Sequence, residues 1–225
     1  MKRSILVILA GALLFLGFSC QAPKSGGADP VNDSMELIVE PGENWQGKMK
    51  IFIFSVSKTP QIAAWIEDAN GRYVTTVTVT NRSSKKNWRS APKEGRPEAL
   101  PVWNHRLQMN QARDDLDTVS TATPKGPVEA KIDGSLLARG STYSIYLEIN
   151  HSFDYNDHWT KENSGVNGQP SLLYHAQFTA GQPCYVPLTP EGYGSVDGYG
   201  GEVTSGLEHV TSALSIVRNV HFIGK

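Results

Sequence analysis

With two cysteines, Cys20 and Cys184, in 225 residues, the chain has no material for a disulfide framework, the device small exported domains use when their cores are thin. Its stability must come from packing. Charge of one sign is equally scarce: 21 Lys and Arg stand against 22 Asp and Glu, a formal net charge of −1, so the footprint of a nucleic-acid binder is absent and no nucleic-acid partner is expected. Long apolar runs are confined to Ile5 through Phe18, behind Met1-Lys2-Arg3-Ser4, and that run is shorter than the about 20 residues a membrane span takes. Catalytic signatures are missing too. No Gly-x-Ser-x-Gly elbow accompanies the scattered Ser, His and Asp, and Glu67 and Asp68 would point to opposite faces of a strand rather than work as an acid–base pair. The chain is therefore not expected to be an enzyme.

What is present begins with an export signal, read as residues 1–19. Leu16-Gly17-Phe18-Ser19-Cys20 closes it in a form that resembles the lipobox of bacterial lipoproteins, which makes Cys20 the acylated first residue and the membrane a partner through that lipid. A cleaved signal without lipid is the plainer alternative. Losing Lys2 and Arg3 with the signal leaves 19 basic against 22 acidic residues, about −3 for the mature chain. Residues 20–33, with Pro23, Ser25, Gly26, Gly27 and Pro30, lack apolar periodicity and read as a flexible tether. Residues 34–225 then form a single domain, large enough for one core.

Strand signals dominate that domain. Glu36 to Glu40 and Met49 to Val56 are short apolar segments, and Ile62–Glu67 faces Tyr73–Thr80 across Asn70-Gly71, a pair suited to a hairpin turn. Tyr143, Ile145, Leu147 and Ile149 alternate, as do Leu172, Tyr174, Ala176 and Phe178, then Cys184, Val186 and Leu188, so each segment presses one face on a core. Leu214, Ile216, Val220 and Phe222 are read as one side of a final strand, and Ser205 to Ala213 as a short helical turn capped by Ser205. Many short strands with little helix and no repeated helical crossovers predict an all-β antiparallel sandwich, in which Cys184 is a buried hydrophobe.

Two insertions interrupt the pattern. Residues 81–126 carry Trp88, Pro92, Pro97, Pro101 and Trp103 among Lys85, Lys86, Arg89, Lys93, Arg96, Arg106 and Arg113. Trp88, Arg89, Trp103 and His105 are the predicted binding surface, for an acidic, glycan or envelope-protein partner. The plainer alternative is an insertion folded over a sheet edge by its own Trp and Pro side chains. Residues 150–170 hold His151, Asp154, Asp157 and His158, two imidazoles and two carboxylates that a loop can converge on a divalent ion. No standard zinc or calcium spacing is met, and polar loop residues bonding to the backbone account for the same composition. A third loop, Tyr193 to Gly201, is glycine-rich and aromatic, and points to no particular chemistry.

Three segments in order resemble a bacterial envelope family, domain of unknown function 2271: Ala64-Trp65-Ile66-Glu67-Asp68-Ala69-Asn70-Gly71-Arg72-Tyr73-Val74; Asp117-Thr118-Val119-Ser120-Thr121-Ala122-Thr123; and Asp133-Gly134 followed by Gly140-Ser141-Thr142-Tyr143. Ile132 stands where that family usually has tryptophan. The resemblance implies an exported immunoglobulin-like sandwich, similar to the cap domain of flagellar hook proteins, and no known reaction. Within the second segment, Asp117, Ser120 and Thr123 resemble the acceptor motif on which an extracytoplasmic transferase esterifies flavin mononucleotide (FMN) to threonine. There the cofactor would carry the electron transfer. Thr121 occupies a position where known acceptors usually have glycine, and the alternative is a polar turn in which these side chains bond to the backbone. The expectation from sequence is thus an envelope lipoprotein that binds or scaffolds without a cofactor, with a flavinylated electron carrier and a metal-binding protein as alternatives.

Overall fold

The computed structural model describes residues 29–31, 33–51, 54–88, 91–109 and 116–225. Cys20, the signal segment and most of the tether lie outside them. The strands are β1 (Met35–Pro41), β2 (Gly47–Ile51), β3 (Phe54–Lys58), β4 (Gln61–Asp68), β5 (Tyr73–Thr80), β6 (Ser120–Thr121), β7 (Val128–Ile132), β8 (Thr142–Asn150), β9 (Leu172–Thr179), β10 (Cys184–Pro187), β11 (Thr189–Tyr193) and β12 (Val217–Gly224). Short helices intervene: α1 (Asn81–Ser84), α2 (Pro101–Met109), α3 (Leu116–Val119) and α4 (Lys161–Ser164).

A four-stranded sheet, ordered β10-β12-β1-β7, lies against a six-stranded one, ordered β11-β9-β8-β4-β5-β6. All pairs are antiparallel except β5–β6. The expected all-β sandwich is what forms, and its core follows the period of two. Leu37 and Val39, with Val220 and Phe222, meet Ile145, Leu147, Tyr174 and Phe178 in one buried cluster. The hairpin turn falls at Asn70-Gly71, where the Asp68 carboxylate accepts from the backbone N–H groups of Asn70 (2.8 Å) and Arg72 (3.0 Å). Tyr143 also closes a corner, its hydroxyl accepting from Ala138 N at 2.9 Å.

Several expectations need correction. The segment from Met49 to Val56 is not one strand but parts of two, β2 and β3, paired as a separate hairpin. The expected helical turn over Ser205 to Ala213 does not start at Ser205, because Gly206 adopts φ +95° directly behind the proposed cap and leaves the right-handed region a helix needs, and residues 205–211 form no helix. A 3₁₀ turn at Ser212–Ser215 follows instead. That turn takes Leu214 out of the final strand and leaves it exposed. Cys184 packs against the core but is only half-buried, and it is a free thiol.

The insertion after β5 covers a sheet face rather than an edge. Ala63, Trp65, Val79 and Leu173 point away from the main core and form a second buried cluster with Leu100, Val102 and Trp103. β4 is accordingly buried on both faces over Gln61–Glu67, as its nearly unbroken apolar run suggests. Trp103 is the anchor, 1% exposed, with its indole N–H donated to Thr76 Oγ1 at 3.0 Å.

Candidate functional site

α2 is short, begins with proline, whose fixed φ suits the first helical position, and buries only its first turn, at Pro101, Val102 and Trp103. The unpaired N–H groups of that turn need acceptors. Glu148, outward-facing on β8 and fully buried, supplies them: Oε1 accepts from Val102 N (3.2 Å) and from the Ser171 hydroxyl (2.6 Å), and Oε2 accepts from Trp103 N (2.8 Å). Burial pushes the Glu148 carboxyl up to about 7 despite these donors. One side chain of the sheet thus fixes the start of the helix.

Beside that helix the outer face of the sheet is left open as a cleft of about 670 Å³. Its floor is a ring stack across three strands, in register Trp65–Tyr146–His175. The ring centroids lie 5.1 Å and 4.6 Å apart and the planes within 18° of parallel. One wall is Glu67, 3% exposed, whose Oε1 accepts from the Trp65 indole N–H at 2.9 Å and lies 3.1 Å from Arg106 Nε. Burial, then the neighbouring Glu67 charge, pushes the Tyr146 phenol up. His175 turns Nδ1 toward Glu191, 3.8 Å away.

The glycine-rich loop completes the enclosure. A bridge between Tyr193 and Thr204 closes its base, and Gly200, Gly201, Glu202 and Val203 line the opposite wall. Gly201 sits so close to His105 that a Cβ there would lie 2.4 Å from the imidazole Cδ2, so a side chain would push the loop off α2.

The predicted binding surface is therefore divided. Trp103 is core, not surface, and His105 lines the cleft. Trp88 is half-buried under the Arg96 guanidinium, 4.8 Å from its ring, and Arg89 lies outside the described residues. Arg96 faces inward, donating to Ser152 Oγ (2.6 Å) and Asn167 Oδ1 (3.0 Å) and pairing with Glu98 (2.7 Å), which stitches the two insertions together. Arg96 is thus spent on the protein itself rather than offered to an acidic partner.

The metal quartet does not converge. His151 is buried, and its Nε2 lies 2.9 Å and 3.1 Å from the carbonyls of Asn44 and Trp45. Both are acceptors, so Nε2 carries the proton. Burial, with Lys58 nearby, pushes the ring down to about 4. Asp154 accepts from Ser212 Oγ (2.8 Å) and Gln169 Nε2 (3.0 Å), and burial pushes its carboxyl up. His151 and Asp154 line a second cleft with Lys58, of about 380 Å³. Asp157 is exposed, and His158 stacks on His209 at 3.8 Å. Among the described residues no group of three or more His, Cys, Asp or Glu side chains is placed to hold a metal ion.

Of the flavin-acceptor residues, Asp117 falls in α3 with its side chain outside the described part. Ser120 lies on the edge strand β6, its hydroxyl donating to Ser84 Oγ at 2.6 Å rather than to a backbone group. Thr123 follows, half-buried.

Residues 54–150 match the DUF2271 family model. Its description is a predicted periplasmic protein, which supports an envelope location. No curated protein and no solved structure matches the chain. The DUF2271 segment runs from the first residue of β3 to the last of β8. It supplies Trp65, Glu67, His105, Arg106, Tyr146 and Glu148, whereas Leu173, His175, Glu191 and the loop at 200–203 come from beyond it. Sequence reasoning placed His105 in the binding surface, counted Arg106 among the basic residues of that insertion and weighed Glu67 only as half of an acid–base pair, and it gave Trp65, Tyr146 and Glu148 no site role. Their shared signal was the outward parity of Trp65, Glu67, Tyr146 and Glu148 on strands whose inward parity was already apolar.

Proposed function

We propose that this chain is a lipid-tethered envelope module that binds a small polar ligand in the cleft beneath α2 and the glycine-rich loop, and that it does not catalyse a reaction. One observation carries the reading: a cleft of about 670 Å³ over an aromatic floor, with the buried Glu67 carboxylate paired to a partly exposed Arg106 in its wall. Small-molecule sites have this size, with a few convergent polar groups. Tethering through Cys20 and the immunoglobulin-like topology belong to the same reading and draw on the sequence alone, whereas the family description supports only the envelope location. A thermal-shift screen of polar metabolites against the full chain tests the function. Ligands should raise the melting temperature of the wild type, and Tyr146→Phe should weaken their binding about tenfold, the worth of one hydrogen bond to a charged group. Capture of a macromolecule that is indifferent to Tyr146→Phe, with no small-molecule shift, would replace binding by scaffolding.

A second reading, flavinylation at Thr123, is favoured by one detail. Among the described residues no hydrogen bond engages the Thr123 hydroxyl, just past an edge strand. The residues present fit a half-buried acceptor hydroxyl at the end of an edge strand, and the flavin would supply one-electron chemistry when attached. Coexpression with an exported flavin transferase should add a flavin mononucleotide mass to the wild type and none to Thr123→Val. A wild-type chain of unmodified mass would discard it.

A further inference from the structure

We infer that the cleft selects an organic cation that donates hydrogen bonds, a primary amine or a guanidinium, over a quaternary ammonium of equal charge. This rests on the cleft being a ligand site, as proposed above. Among the described residues, three carboxylates, Glu67, Glu191 and Glu202, line the cavity with one guanidinium, that of Arg106. With His105 neutral, the described lining residues carry a formal −2, against −1 for the entire chain. A concave, low-dielectric wall of one sign concentrates counter-charge.

The choice among cations follows from geometry. Both faces of the Tyr146 ring are taken, by Trp65 at 5.1 Å and His175 at 4.6 Å. Tyr146 therefore offers no free face for the cation–π contact on which quaternary ammonium recognition depends. Acceptors are what remain. The buried Glu67 carboxylate accepts from the Trp65 indole and faces Arg106 through Oε1, and it lines the cleft. A buried carboxylate gains from each further donor that reaches it, and Glu191 and Glu202 can accept from the same ligand. Ammonium and guanidinium groups supply such donors, and charge-assisted hydrogen bonds are the strong ones. A volume of about 670 Å³ also suits a chain-like diamine.

Calorimetric titration of the full chain with agmatine and with choline decides the matter. Agmatine should bind at least about tenfold more tightly than choline. Its affinity should fall as salt is raised, and should fall severalfold in Glu202→Gln, whose side chain is exposed and whose loss leaves the melting temperature unchanged. Choline binding as tightly as agmatine overturns the selection. Agmatine binding that is indifferent to both Glu202→Gln and Glu191→Gln places the amine elsewhere and overturns it as well. An anion such as citrate binding in a manner sensitive to Tyr146→Phe, while agmatine does not bind, refutes the ligand class and leaves the cleft standing. Failure of agmatine, choline and citrate, together with an empty metabolite screen, removes both.

Discussion

The two faces of the six-stranded sheet are built to different rules. Its inner face presents Ile62, Ala64, Ile145, Leu147, Tyr174 and Phe178 to the opposing sheet, with no charged group in that cluster. Its outer face carries two buried carboxylates, Glu67 and Glu148, beside the Trp65–Tyr146–His175 stack, and is covered by loop-borne elements rather than by a second sheet. Apolar burial is non-directional and scales with area, so the inner face makes the body. Buried polar groups demand particular partners in particular places, so the outer face makes a site. The two carboxylates divide the work between them, Glu148 holding α2 in place while Glu67 faces the space the helix leaves.

The largest test of that division is Phe222→Ala on the opposing sheet, where the side chain is fully buried against Phe178 at 4.3 Å between ring centroids. Such a truncation costs about 3–5 kcal/mol, a large part of a domain's stability of roughly 5–15 kcal/mol. Chemical denaturation should show cooperative loss of the whole fold. An effect under about 1 kcal/mol would mean that the inner face is not what sustains the body.

Glu148 gives the next test, through pH. Its carboxyl titrates near 7 against an ordinary 4.5, so the stability of its neutral form is full below about 4.5 and lost as pH rises through about 7. His151 works the other way. It titrates near 4 against 6.5, so its contribution is full above about 6.5 and lost as pH falls through about 4. Each amounts to on the order of 3 kcal/mol. The two slopes oppose between those limits, and above about 6.5 the Glu148 slope stands alone. Denaturant midpoints should therefore decline from pH 6.5 to 8 in the wild type and stay level in Glu148→Gln, which retains the His151 fall on the acid side. Glu148→Ala should cost about 1–3 kcal/mol by stripping the helix start of acceptors. Faster amide exchange should then appear in α2 while β1 and β12 keep their protection. Equal acceleration in both sheets would break the distinction between body and cover.

The inner face was legible in the sequence because its rule is local: Leu172, Tyr174, Ala176 and Phe178 announce their parity within seven residues, and Asn70-Gly71 marks its own turn. The outer face was not. Glu148 reaches Trp103 across 45 positions of chain, and in sequence it looks like any polar residue on the wet side of a strand. Pro101 does mark a helix start, but a loop proline looks the same when only the first helical turn is apolar. The His151–His158 cluster misled for the converse reason: closeness in sequence says little about a loop whose side chains turn to Asn44, Ser212 and His209 separately.

The smallest predicted effect separates two arginine–carboxylate pairs that are neighbours in sequence. Asp68 and Glu67 are adjacent, yet the Arg72–Asp68 pair at 2.8 Å has an arginine side chain 73% exposed, whereas Arg106 meets a Glu67 that is 3% exposed. Asp68 is held below the usual carboxylate range first by the Arg72 backbone N–H, a contact that survives truncation of the arginine side chain. Arg72→Ala should thus change stability by about 0.5 kcal/mol or less, and the difference should vanish in high salt because exposed charges are screened. Arg106→Ala leaves a buried carboxylate with only the Trp65 indole on Oε1 among its described partners, and should cost severalfold more with little salt dependence. Paired denaturation curves at low and high salt measure both at once. If the two substitutions cost the same and screen alike, Glu67 is behaving as surface, and the outer face has no buried charge with which to recognise a ligand.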